Sequence, residues 1–425
     1  MNEEQRQRFV KGPKGEWQQY QNWQWVLEPR DRMNVAIRFL GSEKRLRTFD
    51  ESLIEEACEI AGLPGLMTPV VLMPNTHRRF GSLYGYVAAF RKGRESLIRP
   101  GAIEIDNAWG SRLLKTNLKR DVVEEEREKL AHVLETRIVE GLKNRGFENY
   151  GMDSIERLLR NGAHWITEQG IGYLEDLVRC EDLGRMQYAD PGAISAQAKM
   201  AFKDRLSHIG NGNHHLEIQV IDQTFDLERL NALGLGEADV LVLIEAGSAG
   251  LSQKICREET VILGKDLWQP IESQHGKELL GSMHACLNAA AAYRQLLTHL
   301  VREAIGSIWP DSQITNIVDM SSNSYKREQH VIGHDSVDLW IWRRGAVHAN
   351  GPSHYTENGE YESMGRPLIL GGAMGSHTTI LCGVDQSEEL ALSSAPYGAG
   401  ADELAEQVGL ARPIARLKPL FCLQG

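Results

Sequence analysis

Imidazole, carboxylate and carboxamide side chains gather between Ser207 and Gln219, in the run SHIGNGNHHLEIQ. Gly210 and Gly212 come first, and backbone without a Cβ can approach a ligand closely. Asn213, His214 and His215 follow, and Leu216, Glu217, Ile218, Gln219 and Val220 then alternate apolar with polar. That period of two predicts a strand. A glycine turn would thus deliver Asn, His and Glu side chains at a strand start. Imidazole and carboxylate are metal ligands, and Asn213 and Glu217 can hydrogen-bond a purine or a ribose. A hairpin turn with a solvated histidine pair fits the same residues, and this stretch alone leaves both readings open.

Other reactive or cationic groups sit beside glycines along the chain. Met73 to Gly81, MPNTHRRFG, carries Asn75, His77, Arg78 and Arg79; Gly101 to Leu114 carries Asp106, Trp109 and Arg112. The apolar run DVLVLI from Asp239 to Ile244 leads into Glu245-Ala-Gly-Ser-Ala-Gly250. Asp319 to His330, DMSSNSYKREQH, brings Ser322, Asn323, Lys326 and Arg327. Residues 337–346 read as a strand with Trp340 and Trp342 on one face and Arg343 and Arg344 adjacent. Aromatic faces beside guanidinium groups suit stacked single-stranded bases. A core or interface tryptophan pair explains the same spacing and is the favoured reading. Two further glycine loops, Gly371 to Gly375 (GGAMG) and Pro396 to Glu403 (PYGAGADE), precede a chain end of LKPLFCLQG.

In this order, and over almost the whole chain, these stretches resemble the RtcB family of RNA ligases. The resemblance implies a single large α/β (α+β) domain, with mixed sheets flanked by helices around a central cleft where the stretches converge. It implies joining of an RNA 3′-phosphate to a 5′-hydroxyl with GTP and Mn, through a histidine that is guanylylated. Asn213, Glu217, Gly372, Ala373, Met374, Gly375, Gly398, Gly400 and Gln424 fall on nucleotide-binding positions, and Asp106, His214 and Glu245 on metal positions. Several family residues are changed. Its metal-binding Cys falls on Trp109 and two of its metal-binding His on Glu245 and Ser322. Its guanine-contacting Ser falls on Ala373, its near-terminal Lys on Gln424, and its nucleophilic His on Tyr397.

Each change bears on chemistry. Indole nitrogen has no lone pair for a metal, and a serine hydroxyl is a weak ligand beside imidazole. Glu245 remains a hard ligand suited to Mg or Mn. A phenol with pKa near 10 needs a base or a metal before it attacks phosphorus. At most one Mn site is therefore expected, built on Asp106, His214 and Glu245, with Trp109 and Ser322 closing a second. GTP use is left in doubt by the same changes. Tyr397 is expected to point into the cleft, its hydroxyl toward Asn213 and His214. Three readings stay open: a divergent ligase or nucleotidyl transferase using Tyr397, a noncatalytic RNA-end or nucleotide binder acting with a partner protein or an active homologue, and a single-metal phosphoesterase.

The elements that must position these groups can be read more simply. Helices are predicted over 50–61, 122–142 and 276–305, and strands over 84–90, 216–220 and 239–244. Residues 1–30 read as a polar extension and 31–425 as the domain. The 425 residues carry a net charge of −11, so no global field attracts nucleic acid. RNA contacts must be local, and Arg78, Arg79, Arg112, Lys326, Arg327, Arg343 and Arg344 are expected at the cleft rim. Six scattered Cys without a C-x-x-C pair suit reduced thiols in a cytosol. No apolar run is long enough to cross a membrane, and no signal peptide pattern opens the chain.

Overall fold

The apolar run Asp239–Ala246 is buried along its whole length. Val240, Val242, Ile244 and Ala246 face one hydrophobic core, while Leu241 and Leu243 face another. A strand that is apolar on both faces needs cover on both sides, and the rest of the chain supplies it. The computed structural model describes residues 8–79, 81–103, 107–144, 151–206, 214–264, 267–354, 361, 363–398 and 400–424.

This strand lies third in a seven-stranded antiparallel sheet. The order is Ile314–Ser321, Gly110–Lys119, Asp239–Ala246, His215–Thr224, Ala411–Gln424, Thr378–Gly383 and Pro367–Gly371. A second sheet has eight strands, ordered Arg8–Gly12, Gly15–Gln21, Gln24–Leu27, Ile37–Leu40, Val70–Arg79, Ser82–Arg91, Asp335–Arg344 and Ser324–Ile332. Ile37–Leu40 and Val70–Arg79 pair in parallel. Helices flank the antiparallel and the mixed sheet, giving one α/β domain.

The helix Gln274–Ile308 runs through the larger core. Ser273 caps it by accepting from the Gly276 N–H, which satisfies one of the first-turn donors. Every residue from Leu279 to Thr298 is buried, so all sides of this stretch are covered, as for an interior helix. It packs on helices Arg127–Asn144, Met152–Asn161 and Ala163–Glu168 and on the strand Asp239–Ala246. Glu51–Ala61 begins at Asp50, whose side chain accepts from the Leu53 N–H. The helix expected over 122–142 is two, Arg120–Glu125 and Arg127–Asn144.

Residues 8–27, expected within a polar extension, instead form three strands of the eight-stranded sheet. The polar composition hid a buried stripe, in which Trp17 and Trp25 are 0% and 2% exposed. Trp340 and Trp342 likewise belong to the core.

One charged cluster joins helix to sheet. Asp319 accepts from Arg112 Nε at 2.6 Å, and from Arg294 Nε and Nη2 at 2.8 and 2.7 Å. Arg112 also donates to Gln295 and Thr298 on the long helix. Arg294 reaches the Ala246 carbonyl and Ser321 Oγ. Burial alone would raise the Asp319 carboxyl, but the two guanidinium groups hold it below its ordinary value. Removing that carboxylate leaves two cations buried without their counter-ion, which costs about 3–5 kcal/mol. Asp319→Ala should lower the urea midpoint of unfolding by a corresponding amount, and an unchanged midpoint would contradict the role given to this cluster.

Candidate functional site

Strand register brings the first reactive groups together. Gly110–Lys119, Asp239–Ala246, His215–Thr224 and Ala411–Gln424 are neighbours, and Ser111, Glu245, His215 and Gln424 are cross-strand partners in one row. Partners in a row project to the same face. Ser111, Glu245 and His215 are buried, while Gln424 is exposed. Glycine loops follow several of these strands and rim a cleft of about 1460 Å³. Asn75, Arg79, Trp109, His214, Glu245, Ala249, Gly372, Ala373, Met374, Tyr397 and Gly398 all line it.

Glu245 is the centre of the cleft floor. Trp109 Nε1 donates to its Oε2 at 2.7 Å and the Tyr397 hydroxyl donates to the same oxygen at 2.9 Å. Ser111 Oγ donates to Oε1 and also contacts the Tyr397 hydroxyl at 2.9 Å. Burial pushes the Glu245 carboxyl up, and these donors partly counter it. Burial, then the neighbouring Glu245, pushes the Tyr397 phenol well above its ordinary value. Ser322 completes the arrangement. Its N–H donates to the Trp109 carbonyl at 2.6 Å and its hydroxyl to the same oxygen at 3.1 Å. Trp109, Glu245, Ser322 and Tyr397, singled out one by one in the sequence, are therefore joined by hydrogen bonds.

Tyr397 reaches the cleft, where its hydroxyl meets Glu245 and Ser111; Asn213, part of the side it was expected to approach, lies outside the described residues. The Tyr397 N–H donates to the Gly345 carbonyl, and Asn75 Nδ2 donates to the carbonyls of both Gly345 and Tyr397. His214 lies edge-on to Trp109, with ring centroids 5.0 Å apart. Burial, with a smaller contribution from His215, pushes its imidazole down to about 4, so it is neutral at physiological pH. Its Nδ1 has no hydrogen-bond partner among the described residues.

Asp106 and Asn213 lie outside the described residues. Among the described residues no three His, Cys, Asp or Glu side chains come together in a metal-holding group. Both Glu245 oxygens already accept hydrogen bonds from neutral donors. Two of the expected nucleotide-binding positions, Glu217 and Gly375, are likewise engaged with each other. Glu217 accepts from the Gly375 N–H at 2.7 Å and from Gln219 Nε2 at 2.6 Å. Gly400, with φ +72°, starts the helix Ala401–Gln407.

The expected basic rim is largely corrected by burial. Arg112 pairs with Asp319 inside the core. Lys326 is buried against Glu181 and Asp182. Arg343 is buried and forks onto Glu328, and Arg344 is buried and donates to the Gly101 carbonyl. Arg327 is partly exposed but pairs with Asp338, and Arg78 is bound to Gly81 and Ser52. Of the seven expected cations, Arg79 lines the cleft, its guanidinium over the Tyr84 ring at 5.1 Å. Three others were missed: Lys44, Arg45 and Arg205. Arg205 lies against Gly250, whose φ is +76° and where a Cβ would overlap the guanidinium. The charge run EKR at 43–45 was the available signal for two of them. Glu245 is the one carboxylate among the described residues lining the cleft, so its wall is locally cationic on a chain of net charge −11.

A family model described as tRNA-splicing ligase RtcB matches residues 56–403. The chain belongs to the RtcB family. It is 32% identical over 393 residues to the tRNA-splicing ligase RtcB of Nanoarchaeum equitans, covering 88% of this chain and 82% of that one. The Thermococcus kodakarensis protein of the same name is 31% identical over 395 residues, with the same coverage. The RNA-splicing ligase RtcB homolog 1 of Entamoeba dispar is 29% identical over 365 residues, covering 82% and 68%. No helix among the described residues is long and apolar enough to cross a membrane.

Two outcomes follow from the buried polar groups. Tyr397→Phe removes a donor from a buried carboxylate and should lower unfolding free energy by about 1–3 kcal/mol, measured by urea titration at pH 7. Near the expected rim, His330 bonds Glu388 at 2.8 Å and Glu328 at 3.1 Å. Burial opposes its charge, yet these carboxylates push it up to about 9. A raised pKa contributes stability fully below about 6.5 and loses it as pH rises to about 9. The stability gained over the His330→Gln variant at pH 6 should therefore fade by pH 9.5, and a constant difference would refute a charged His330.

Proposed function

We propose that this chain binds RNA ends in the cationic cleft and does not perform histidine-type guanylylation. The observation that carries this is the closed set of hydrogen bonds among Trp109, Ser111, Glu245 and Tyr397. The relatives named as tRNA-splicing ligases support RNA as the polymer. The four cleft cations, Lys44, Arg45, Arg79 and Arg205, support phosphate contact. Glu245 accepts three neutral hydrogen bonds, which supports a site that is stable without an ion on that carboxylate. Mn then occupies at most one site per chain, and GTP leaves no covalent label. A protein of this kind would hold an RNA end for a partner, such as an active homologue. The single-metal phosphoesterase reading is weakened by the same engagement of Glu245.

One observation favours a second reading, ligation by an altered route. The Tyr397 hydroxyl donates to Glu245 at 2.9 Å, within reach of a general base. The phenol oxygen would attack the α-phosphorus of a nucleotide, its proton passing to Glu245. A Tyr–phosphorus bond would form as the bond to the leaving pyrophosphate breaks. Against this stand the raised phenol pKa and the burial of Tyr397.

Incubation with labelled GTP or ATP, Mn and RNA bearing 3′-phosphate and 5′-hydroxyl ends separates the readings. We expect no label on denatured protein and no joined RNA. Label that disappears in Tyr397→Phe would establish the second reading. Binding of 3′-phosphate RNA should weaken with salt at a log–log slope of about −3, near 0.7 per phosphate contacted by the four cations. Lys44→Glu with Arg205→Glu should weaken it at least tenfold, and an unchanged affinity would exclude the cleft as the RNA path.

A further inference from the structure

We infer that Trp23, with Lys44 beside it in the cleft wall, forms a stacking subsite for an unpaired nucleotide of single-stranded RNA. The inference rests on the reading that the cleft takes RNA ends. Both residues precede the segment matched by the family model, 56–403, yet both line the same cleft as Trp109 and Tyr397.

Gln21 and Gln24 pair across the hairpin, leaving Asn22 and Trp23 as a two-residue turn. Such turns place residues at positive φ and favour glycine at the second position. Trp23 sits there with φ +65°. A bulky side chain in the left-handed region is strained, and an observed outlier of this kind points toward function. The core did not recruit this ring. Trp17 and Trp25, on the two strands of the same hairpin, are buried, whereas Trp23 is 38% exposed. The turn is anchored, because the Gly41 N–H donates to the Trp23 carbonyl at 2.8 Å.

That anchor fixes the second group. Ser42 follows Gly41 and caps the short helix Glu43–Leu46, which carries Lys44. Lys44 is exposed, and no ion pair engages it among the described residues. Arg45 is held back by the Thr76 carbonyl at 2.6 Å. An indole face and a nearby unpaired ammonium match a base and its phosphate. Stacking tolerates any base, because every base has a π-face. The subsite therefore takes an unpaired nucleotide of the bound strand without reading its identity. A base held in a duplex offers no free face to it.

The test uses the full chain and three RNAs: a single-stranded 3′-phosphorylated hexamer, a blunt duplex of the same end chemistry, and a nucleoside 3′,5′-bisphosphate. Trp23→Gly relieves the left-handed strain, so its thermal midpoint should hold or rise. The same variant should bind the hexamer about tenfold or more weakly, near one lost base stack. Its affinity for the duplex should not change, whereas the bisphosphate, which also offers a free base face, should bind more weakly. Trp23→Phe should retain most hexamer affinity, and Lys44→Ala should reduce the salt slope by about 0.7. If Trp23→Gly binds the hexamer as wild type does, while Lys44→Glu with Arg205→Glu weakens it, the stacking subsite is wrong and the cleft reading stands. If the wild-type chain binds none of the three RNAs, both fail together.

Discussion

A buried carboxylate between two arginines sets the frame of this molecule. Asp319 sits inside the core with Arg112 and Arg294 as its donors. Charges taken out of water are tolerated when hydrogen bonds and an opposite charge replace the lost solvent. The geometry that does so here is restrictive. Arg112 comes from Gly110–Lys119, Asp319 from Ile314–Ser321 and Arg294 from the helix Gln274–Ile308. The Arg294 bond to the Ala246 carbonyl adds a third strand end. Ser111 adjoins Arg112, and Glu245 adjoins Ala246, so the pair at the cleft floor is fixed by the same cluster. A shift of the helix would break the ion triad and move the floor together.

This dependence explains why charge was the least legible feature of the sequence. Apolar periodicity is local, and it located the long helix, the helix after Asp50 and the strand Asp239–Ala246 near their observed bounds. A charged residue is defined by its partner, and the partners here are remote in sequence. Arg112 lies 207 residues from Asp319, and Lys326 lies 145 from Glu181. Arg343 is paired across its own sheet with Glu328. Each looked like a rim cation because the run that holds it, such as WRRG, shows charge without showing what neutralises it. The amino-terminal hairpin was missed for the opposite reason. Its Gln-rich strands look solvated, and burial of Trp17 and Trp25 becomes visible only when the eight-stranded sheet is assembled.

The candidate site was half legible in the same sense. Glycine loops announced where backbone turns, and one row gathered Glu245, His215 and Gln424, named from sequence, with Ser111, which was not. The residue types at those positions could be read, and so could the chemistry each one lacks. What could not be read is that they satisfy one another. The indole was read as a failed ligand and the phenol as a poor nucleophile, whereas in the fold both are donors, and a buried carboxylate requires donors.

That mutual satisfaction constrains how such a centre can vary. Glu245 without Trp109, Ser111 and Tyr397 would be a buried carboxylate with unmet acceptors, and Tyr397 without Glu245 would be a buried hydroxyl deprived of its strongest acceptor. Trp109 in turn depends on Ser322, whose small side chain sits against its carbonyl. A thiol in place of Trp109 would remove both the indole donor to Glu245 and the bulk that fills the floor. The set is therefore held as a unit by desolvation, which acts whether or not a ligand enters the cleft. What remains exposed above the floor is the cationic wall, the glycine loop at 371–375 and the strained indole of Trp23.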